Sequence, residues 1–151
     1  MFSNPKHIAW LIPPAYLLHI LDEYFSGIGF SKWYSELFKV DLSVNDFVSI
    51  NSVGFAITLL IVMLYSFNKA NYFIIAALGS LFFVNGIIHP AATILTGTYS
   101  PGTITAIVLY LPLGYLLYKN IFPLMPQQQR SLSVVTGIVI QLVVAVIAFN
   151  I

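Results

Sequence analysis

The sequence predicts an all-α fold: a polytopic transmembrane helical bundle of about five membrane helices, with a short interfacial segment after the first. Three observations predict it. Charged residues make up 7% of the 151-residue chain, against about 25% in a soluble domain. Hydrophobic residues make up 59%, more apolar surface than a soluble fold of this size can hide. The apolar residues fall in long runs separated by short polar stretches, the pattern of membrane spans. No internal repeat and no low-complexity linker divides the chain, so residues 1–151 read as one membrane domain.

Each element carries its own signals. Residues 1–7 are a short polar start, and the first segment covers residues 8–25. Pro13 and Pro14 cannot donate backbone hydrogen bonds, so the regular helix begins near Pro13, with residues 8–12 as a kinked extension. From Pro13 to Tyr24 a helix covers only about 18 Å. Lys6 ahead of an apolar run imitates a secretion signal. The prolines interrupt that run and no A-x-A-like site follows, so the segment is expected to be retained. Residues 26–44 interleave aromatics with charges, as suits a headgroup layer. Phe30, Trp33, Leu37 and Phe38 could form one face of an interfacial helix; a connecting loop is the alternative.

Ser43-Val-Asn-Asp46 fits a capping pattern ahead of a second helix at 45–67. Asn68-Lys69-Ala70-Asn71 reads as a tight polar turn, followed by a third helix at 72–96. Pro90 directly after His89 predicts a kink or break in it. Ser100 as N-cap and Pro101 at the first helical position start a fourth helix at 101–118. Lys119 to Arg130 reads as a polar loop and residues 132–151 as the fifth helix. Gly79, Gly86 and Gly114 are close-packing positions, and Gln141 is placed to bond across helices.

Five spans put the termini on opposite sides of a cell membrane. A cytoplasmic N-terminus places Lys6, Lys69, Lys119 and Arg130 inside, and Lys32 and Lys39 outside with Glu36, Asp41 and Asp46. The positive-inside rule favours that arrangement, with the C-terminus outside.

Several function classes fall away. The net charge of +1 and the lack of a basic run argue against nucleic acid. Cysteine is absent, which excludes disulfides and thiolate ligands or nucleophiles. Any metal must be held by His, Asp, Glu, Asn or water. No Walker motif, serine nucleophile elbow or HExxH appears, which argues against an ATP-driven pump and the familiar metalloproteases.

The chemistry concentrates at His19-Ile-Leu-Asp22-Glu23, at the end of the first apolar run. At 100° per residue, Asp22 and Glu23 flank His19 within one arc. Ionisable groups at membrane depth are expensive and mark functional sites by default. His89 lies about 26 Å along the third helix, which brings it to the same depth as His19. Asn51 near the start of helix two, Asn85 and Thr93 on helix three, and Tyr99, Ser100, Thr103 and Thr105 at the start of helix four join that layer. The opposite half of the bundle is almost purely apolar. With the N-terminus inside, the layer lies near the outer face.

In these motifs the sequence resembles the HXXEE family of small bacterial membrane proteins. The family is marked by His-x-x-Glu-Glu, a further His and Tyr-x-Pro-Gly. His19-Ile-Leu-Asp22-Glu23 matches the first with Asp22 in place of Glu, His89 stands as the second, and Tyr99-Ser-Pro101-Gly102 matches the third in full. The resemblance covers about residues 16–118. It implies no established reaction, so it supports the site and not its chemistry.

Read as chemistry, His19, Glu23 and His89 form a two-His, one-carboxylate set, with Asp22 as a fourth metal ligand or a partner behind the ligands. Such a set with open positions suits catalytic zinc or non-haem iron. Asn51 and Asn85 join as cofactor-binding candidates, Asn85 by orienting His89 from one turn away. Tyr99 either donates a hydrogen bond into the site or belongs to the aromatic belt. The expected function is an intramembrane enzyme, a hydrolase or oxidoreductase, acting on a hydrophobic or lipid-derived molecule. The alternatives are a metal-free acid/base isomerase using the same carboxylates and imidazoles, and a proton-coupled carrier.

Overall fold

The computed structural model describes residues 4–68 and 71–150, and they are helical nearly throughout. Four helices are long and apolar enough to cross a membrane: Val44–Ser66, Tyr72–Thr96, Thr103–Leu124 and Gln127–Asn150. The first apolar segment is a two-part element. Helix α1 (Pro5–Ala9) is capped by Asn4, whose side chain accepts from the Lys6 amide at 2.9 Å. After a turn at Trp10-Leu11, α2 (Ile12–Phe25) begins with Pro13 and Pro14 in its first turn, where missing N–H groups cost nothing. At 14 residues, α2 is about 21 Å long, short of the roughly 30 Å of a bilayer core. The expected five-helix bundle is therefore four full-length helices plus this broken one.

Helix α3 (Phe30–Phe38) resolves the choice left open for the interfacial segment. Its inward face is Trp33 and Tyr34, which pack with Leu42 and Ala148; Leu37 and Phe38 stay exposed. The Trp33 indole donates to Thr98 Oγ1 at 3.0 Å, and the Tyr34 hydroxyl donates to the Ala145 carbonyl at 3.2 Å. These bonds fold α3 across one end of the bundle.

Helix α4 (Val44–Ser66) starts as the capping pattern requires, with Ser43 Oγ accepting from the Asp46 amide at 3.1 Å. Lys69 and Ala70 of the expected turn lie outside the described residues. Helix α5 (Tyr72–Thr96) is capped by Asn71 and ends at Gly97, whose positive φ of 65° is open to glycine. Of the kink or break expected at Pro90, the break does not occur: the helix continues through it. Pro90 withholds its donor from the Gly86 carbonyl, and Tyr110 and Leu111 pack closely on the turn that bears Gly86. A Cβ at Gly86 would lie 3.1 Å from Tyr110 Cβ and 3.1 Å from Leu111 Cδ2.

The fourth spanning helix is composite: α6 (Thr103–Thr105), a π-helical turn at Ala106–Tyr110, α7 (Leu111–Ile121) and a 3-10 turn at Phe122–Leu124. Its first turn is preceded by Gly102, so the expected start at Pro101 moves inward. The π turn precedes Pro112, which cannot donate the next regular bond; Leu111 N–H bonds back five residues to Ala106. The expected polar loop at 119–130 is mostly helix. Helix α8 (Gln127–Asn150) begins immediately after Pro126, because its three glutamines are good helix formers. Gln141 makes no hydrogen bond across helices among the described residues.

Helix α5 is the central element. The main core, including Ile12, Val62, Ile75, Phe82 and Leu117, joins α2, α4, α5 and α7. Small residues set the α5–α8 approach, as they do where lipid supplies no hydrophobic force between helices. A Cβ at Gly137 would lie 2.5 Å from Ser80 Cβ and 2.7 Å from the Ala77 carbonyl oxygen. Gly79 and Gly114 take the expected close-packing roles against Leu117 and Phe83.

Gly137→Ala must separate α5 from α8, because backbone atoms cannot rotate away. Overpacking of this kind costs about 1–3 kcal/mol. The expected result is a melting temperature several degrees lower in mild detergent. An unchanged value would mean that the two helices do not approach this closely.

Candidate metal centre

The antiparallel run of α2 and α5 against α4 and α6 brings the end of two helices beside the start of two others. On α2, His19 and Glu23 are one turn apart and share the inward face. His89 approaches from the last two turns of α5. All three are buried: His19 is 1%, Glu23 6% and His89 3% exposed. Glu23 Oε1 lies 3.3 Å from His89 Nε2 and 3.6 Å from His19 Nε2. One ligand atom from each residue falls within 4.8 Å of the others. A tetrahedral ion with bonds near 2.1 Å holds its ligand atoms about 3.4 Å apart; the two Glu23 spacings lie near that value, so the group could hold a metal. His19 Nε2 is also buried with no hydrogen-bond partner, an expensive orphan in an apolar surround.

The other ring nitrogens face outward to hydroxyls. His19 Nδ1 lies 2.8 Å from Thr105 Oγ1, and His89 Nδ1 lies 3.1 Å from Ser100 Oγ. Ser100 is thus a partner of His89 rather than the expected helix cap. The loop that carries it is tied to α5: the Ser100 amide donates to Thr93 Oγ1 at 3.0 Å, and Thr93 and Thr103 hydroxyls meet at 3.0 Å.

Gly102 forms a wall of the cluster. A Cβ there would lie 2.8 Å from Glu23 Cγ, 2.9 Å from His19 Cε1 and 3.1 Å from His89 Cε1, and its φ is +92°. Aromatic rings close other sides. Tyr110, fully buried on the π turn, sits with its ring centroid 4.2 Å from that of His19. Phe30 of α3 sits 5.8 Å from His89. The two imidazoles lie edge to face at 4.9 Å.

The remaining expected residues divide. Asp22 is not in the three-residue group; its Oδ2 accepts from the Thr105 amide at 3.0 Å and the Thr105 hydroxyl at 2.8 Å. Asn85 does not orient His89, whose Nδ1 goes to Ser100; the Asn85 Oδ1 is buried without a partner. Asn51 accepts from the Tyr16 hydroxyl at 3.2 Å and so links α4 to α2. Tyr99 is 38% exposed, with its ring 3.2 Å from where a Gly27 Cβ would stand. Thr105 is legible in the sequence only as a member of the polar layer, and Gly102 only as the last residue of the Tyr-x-Pro-Gly motif. Tyr110 carries no such signal in the sequence; the π turn that presents it is seen only in the fold.

Comparison with known proteins agrees with these motifs. No curated protein and no solved structure matches the chain. A family model does, described as "Protein of unknown function with HXXEE motif", over residues 10–117, a stretch that holds His19, Glu23, His89 and Gly102. The chain belongs to this HXXEE family.

Proposed function

We propose that the protein is an intramembrane enzyme that works at His19, Glu23 and His89 with a bound divalent metal, zinc or iron, on a hydrophobic or lipid-derived substrate. One observation carries this reading: two imidazole nitrogens and a carboxylate oxygen from two helices converge in a buried site with one nitrogen left unpartnered. When bound, such an ion supplies Lewis acidity and lowers the pKa of a coordinated water toward 7. The chain's own part is to hold the three donors rigid and to exclude water. Thr105 and Ser100 fix the imidazole rings from behind. Gly102 leaves room at the cluster, and Tyr110 covers one face of His19.

The second reading is a metal-free acid/base enzyme. The observation that favours it is the 3.3 Å approach of Glu23 Oε1 to His89 Nε2, close enough to pass a proton between substrate positions.

The orientation belongs to this reading. Lys6, whose Nζ donates to the Ser66 carbonyl at 3.1 Å, sits at the end of the bundle away from the cluster. The positive-inside count puts that end in the cytoplasm and the cluster toward the outer leaflet.

Purified, metal-supplemented protein should carry about one zinc or iron per chain by elemental analysis. His19→Ala, Glu23→Ala and His89→Ala should each fall to background while retaining helix content by circular dichroism. Gly102→Ala should also lose metal, because its Cβ would press on all three donors' side chains. A metal-free wild type would overturn the metal reading and leave the acid/base one.

The chain has no cysteine, so single-cysteine labelling is clean. Asp41→Cys should react with a membrane-impermeant maleimide on intact cells, and Gln128→Cys only after lysis. The reverse pattern would place the cluster at the inner leaflet.

A further inference from the structure

The mechanism above does not use Asp22, although it is the first acid of the HxxDE motif and stands beside a proposed ligand. Its carboxylate oxygen Oδ2 accepts two bonds from one residue, Thr105: the backbone amide at 3.0 Å and the hydroxyl at 2.8 Å. The Thr105 hydroxyl has a second acceptor within reach, the Gly102 carbonyl at 3.1 Å. Its third neighbour is His19 Nδ1 at 2.8 Å.

A hydroxyl has one proton to donate. The carboxylate and the carbonyl can only accept, and a proton turned instead to His19 Nδ1 would leave Thr105 Oγ1 and Asp22 Oδ2 facing each other with lone pairs at 2.8 Å, so the proton points to Asp22. The hydroxyl oxygen then faces His19 Nδ1 with only lone pairs, and Nδ1 must carry the hydrogen. A neutral imidazole with hydrogen on Nδ1 keeps its lone pair on Nε2. That nitrogen is the buried, unpartnered one, 3.6 Å from Glu23 Oε1 and outside hydrogen-bond range. His89 has no such constraint. Ser100 Oγ makes no other hydrogen bond among the described residues, so it can donate to or accept from His89 Nδ1.

We propose that Asp22 and Thr105 are positioning residues for His19: Asp22 orients the Thr105 hydroxyl, which holds His19 as the Nδ1–H tautomer with its Nε2 lone pair aimed into the cluster. Asp22 is therefore not a metal ligand. The inference rests on His19 as a working group of the site, and the tautomer holds with or without an ion. The relay spans the fold, since Asp22 and Thr105 are 83 residues apart in sequence. It also explains why an Asp serves at this position: the acid must reach a neighbouring hydroxyl and not the centre of the cluster.

The test has two arms on the full-length protein in detergent micelles. In the first, metal-free protein with 15N-labelled histidine is read by NMR, with His19→Gln used to assign the His19 signals. The wild type should show a protonated Nδ1 and an unprotonated Nε2 for His19. Thr105→Ser should keep that pattern, and Thr105→Val should lose it. In the second arm, Zn²⁺ alone is titrated. Thr105→Val and Asp22→Ala should weaken binding about ten- to hundredfold, the range for loss of a group behind a ligand, and Thr105→Ser should bind like wild type. Proton on Nε2 in the wild type, or an unchanged pattern in Thr105→Val, would overturn the proposal. So would zinc loss in Asp22→Ala as complete as in Glu23→Ala with Thr105→Val unaffected, since Asp22 would then be a ligand. If the wild type binds no zinc, the metal reading fails, and the NMR arm still decides the tautomer.

Discussion

A carboxylate out of water costs several kcal/mol unless its charge is met, and Glu23 is buried to 6% exposure inside an apolar bundle. Two imidazoles stand within 3.3 and 3.6 Å of one of its oxygens. That charge can be met in three ways: by a proton on the carboxylate itself, by a proton on one of the rings, or by a cation among the three side chains. The fold is arranged around that need. Helix α2 is too short to span and ends where its acid meets α5, while α5 continues through Pro90 to carry His89 to the same depth. A site that needs charge compensation to be stable is also one that responds to what supplies the charge.

The helix bearing His19 and the loop Tyr99-Ser-Pro-Gly102 act as two halves of one device. Any side chain at 102 would enter the cluster, so the position before α6 must be glycine. Glycine has no side chain to cap the exposed amides of the helix that follows. Asp22 supplies the missing carboxylate from α2, on the amide of the third residue, Thr105. The same contact sets the Thr105 hydroxyl against His19. Ser100, two residues before the glycine, reaches His89. The loop and the first turn of α6 together leave room at the cluster, bond to both rings and take a helix cap from the segment they pack against.

Much of this was legible in the sequence because it depends on local rules. Composition and run length are enough for a helical membrane bundle, Ser43 caps α4 as its spacing requires, and His19 and Glu23 share a face by helical period alone. The depth argument from helix rise brought His89 beside them. What was not legible depends on tertiary neighbours. Asp22 and Glu23 are adjacent and both lie near His19 on the helical wheel; only the position of Thr105, far along the chain, turns one acid to the loop and the other to the cluster. Ser100 looks like a helix cap until His89 claims its hydroxyl. Pro90 looks like a break until Gly86 packs against Tyr110 and Leu111. Polar residues beside prolines look like loop at 127–131, yet the glutamines are good helix formers and α8 begins at Gln127.

The two chemical readings differ in which groups remain to move protons. With an ion bound, His19, Glu23 and His89 are all engaged as ligands. Asp22, the neighbouring acid, already accepts two hydrogen bonds at one oxygen, and its other nearby role is to hold Thr105. Among the described residues no further imidazole or carboxylate is buried. If an ion were held there, no further buried imidazole or carboxylate of the described residues would be left free beside it, and the substrate would have to take the proton itself. Without an ion, Glu23 and His89 would be the proton pair, and on the proposed tautomer His19 would offer an Nε2 lone pair beside them. On the proposed tautomer His19 would present the same nitrogen in both cases. The relay from Asp22 therefore serves either chemistry, and the identity of the charge that balances Glu23 decides between them.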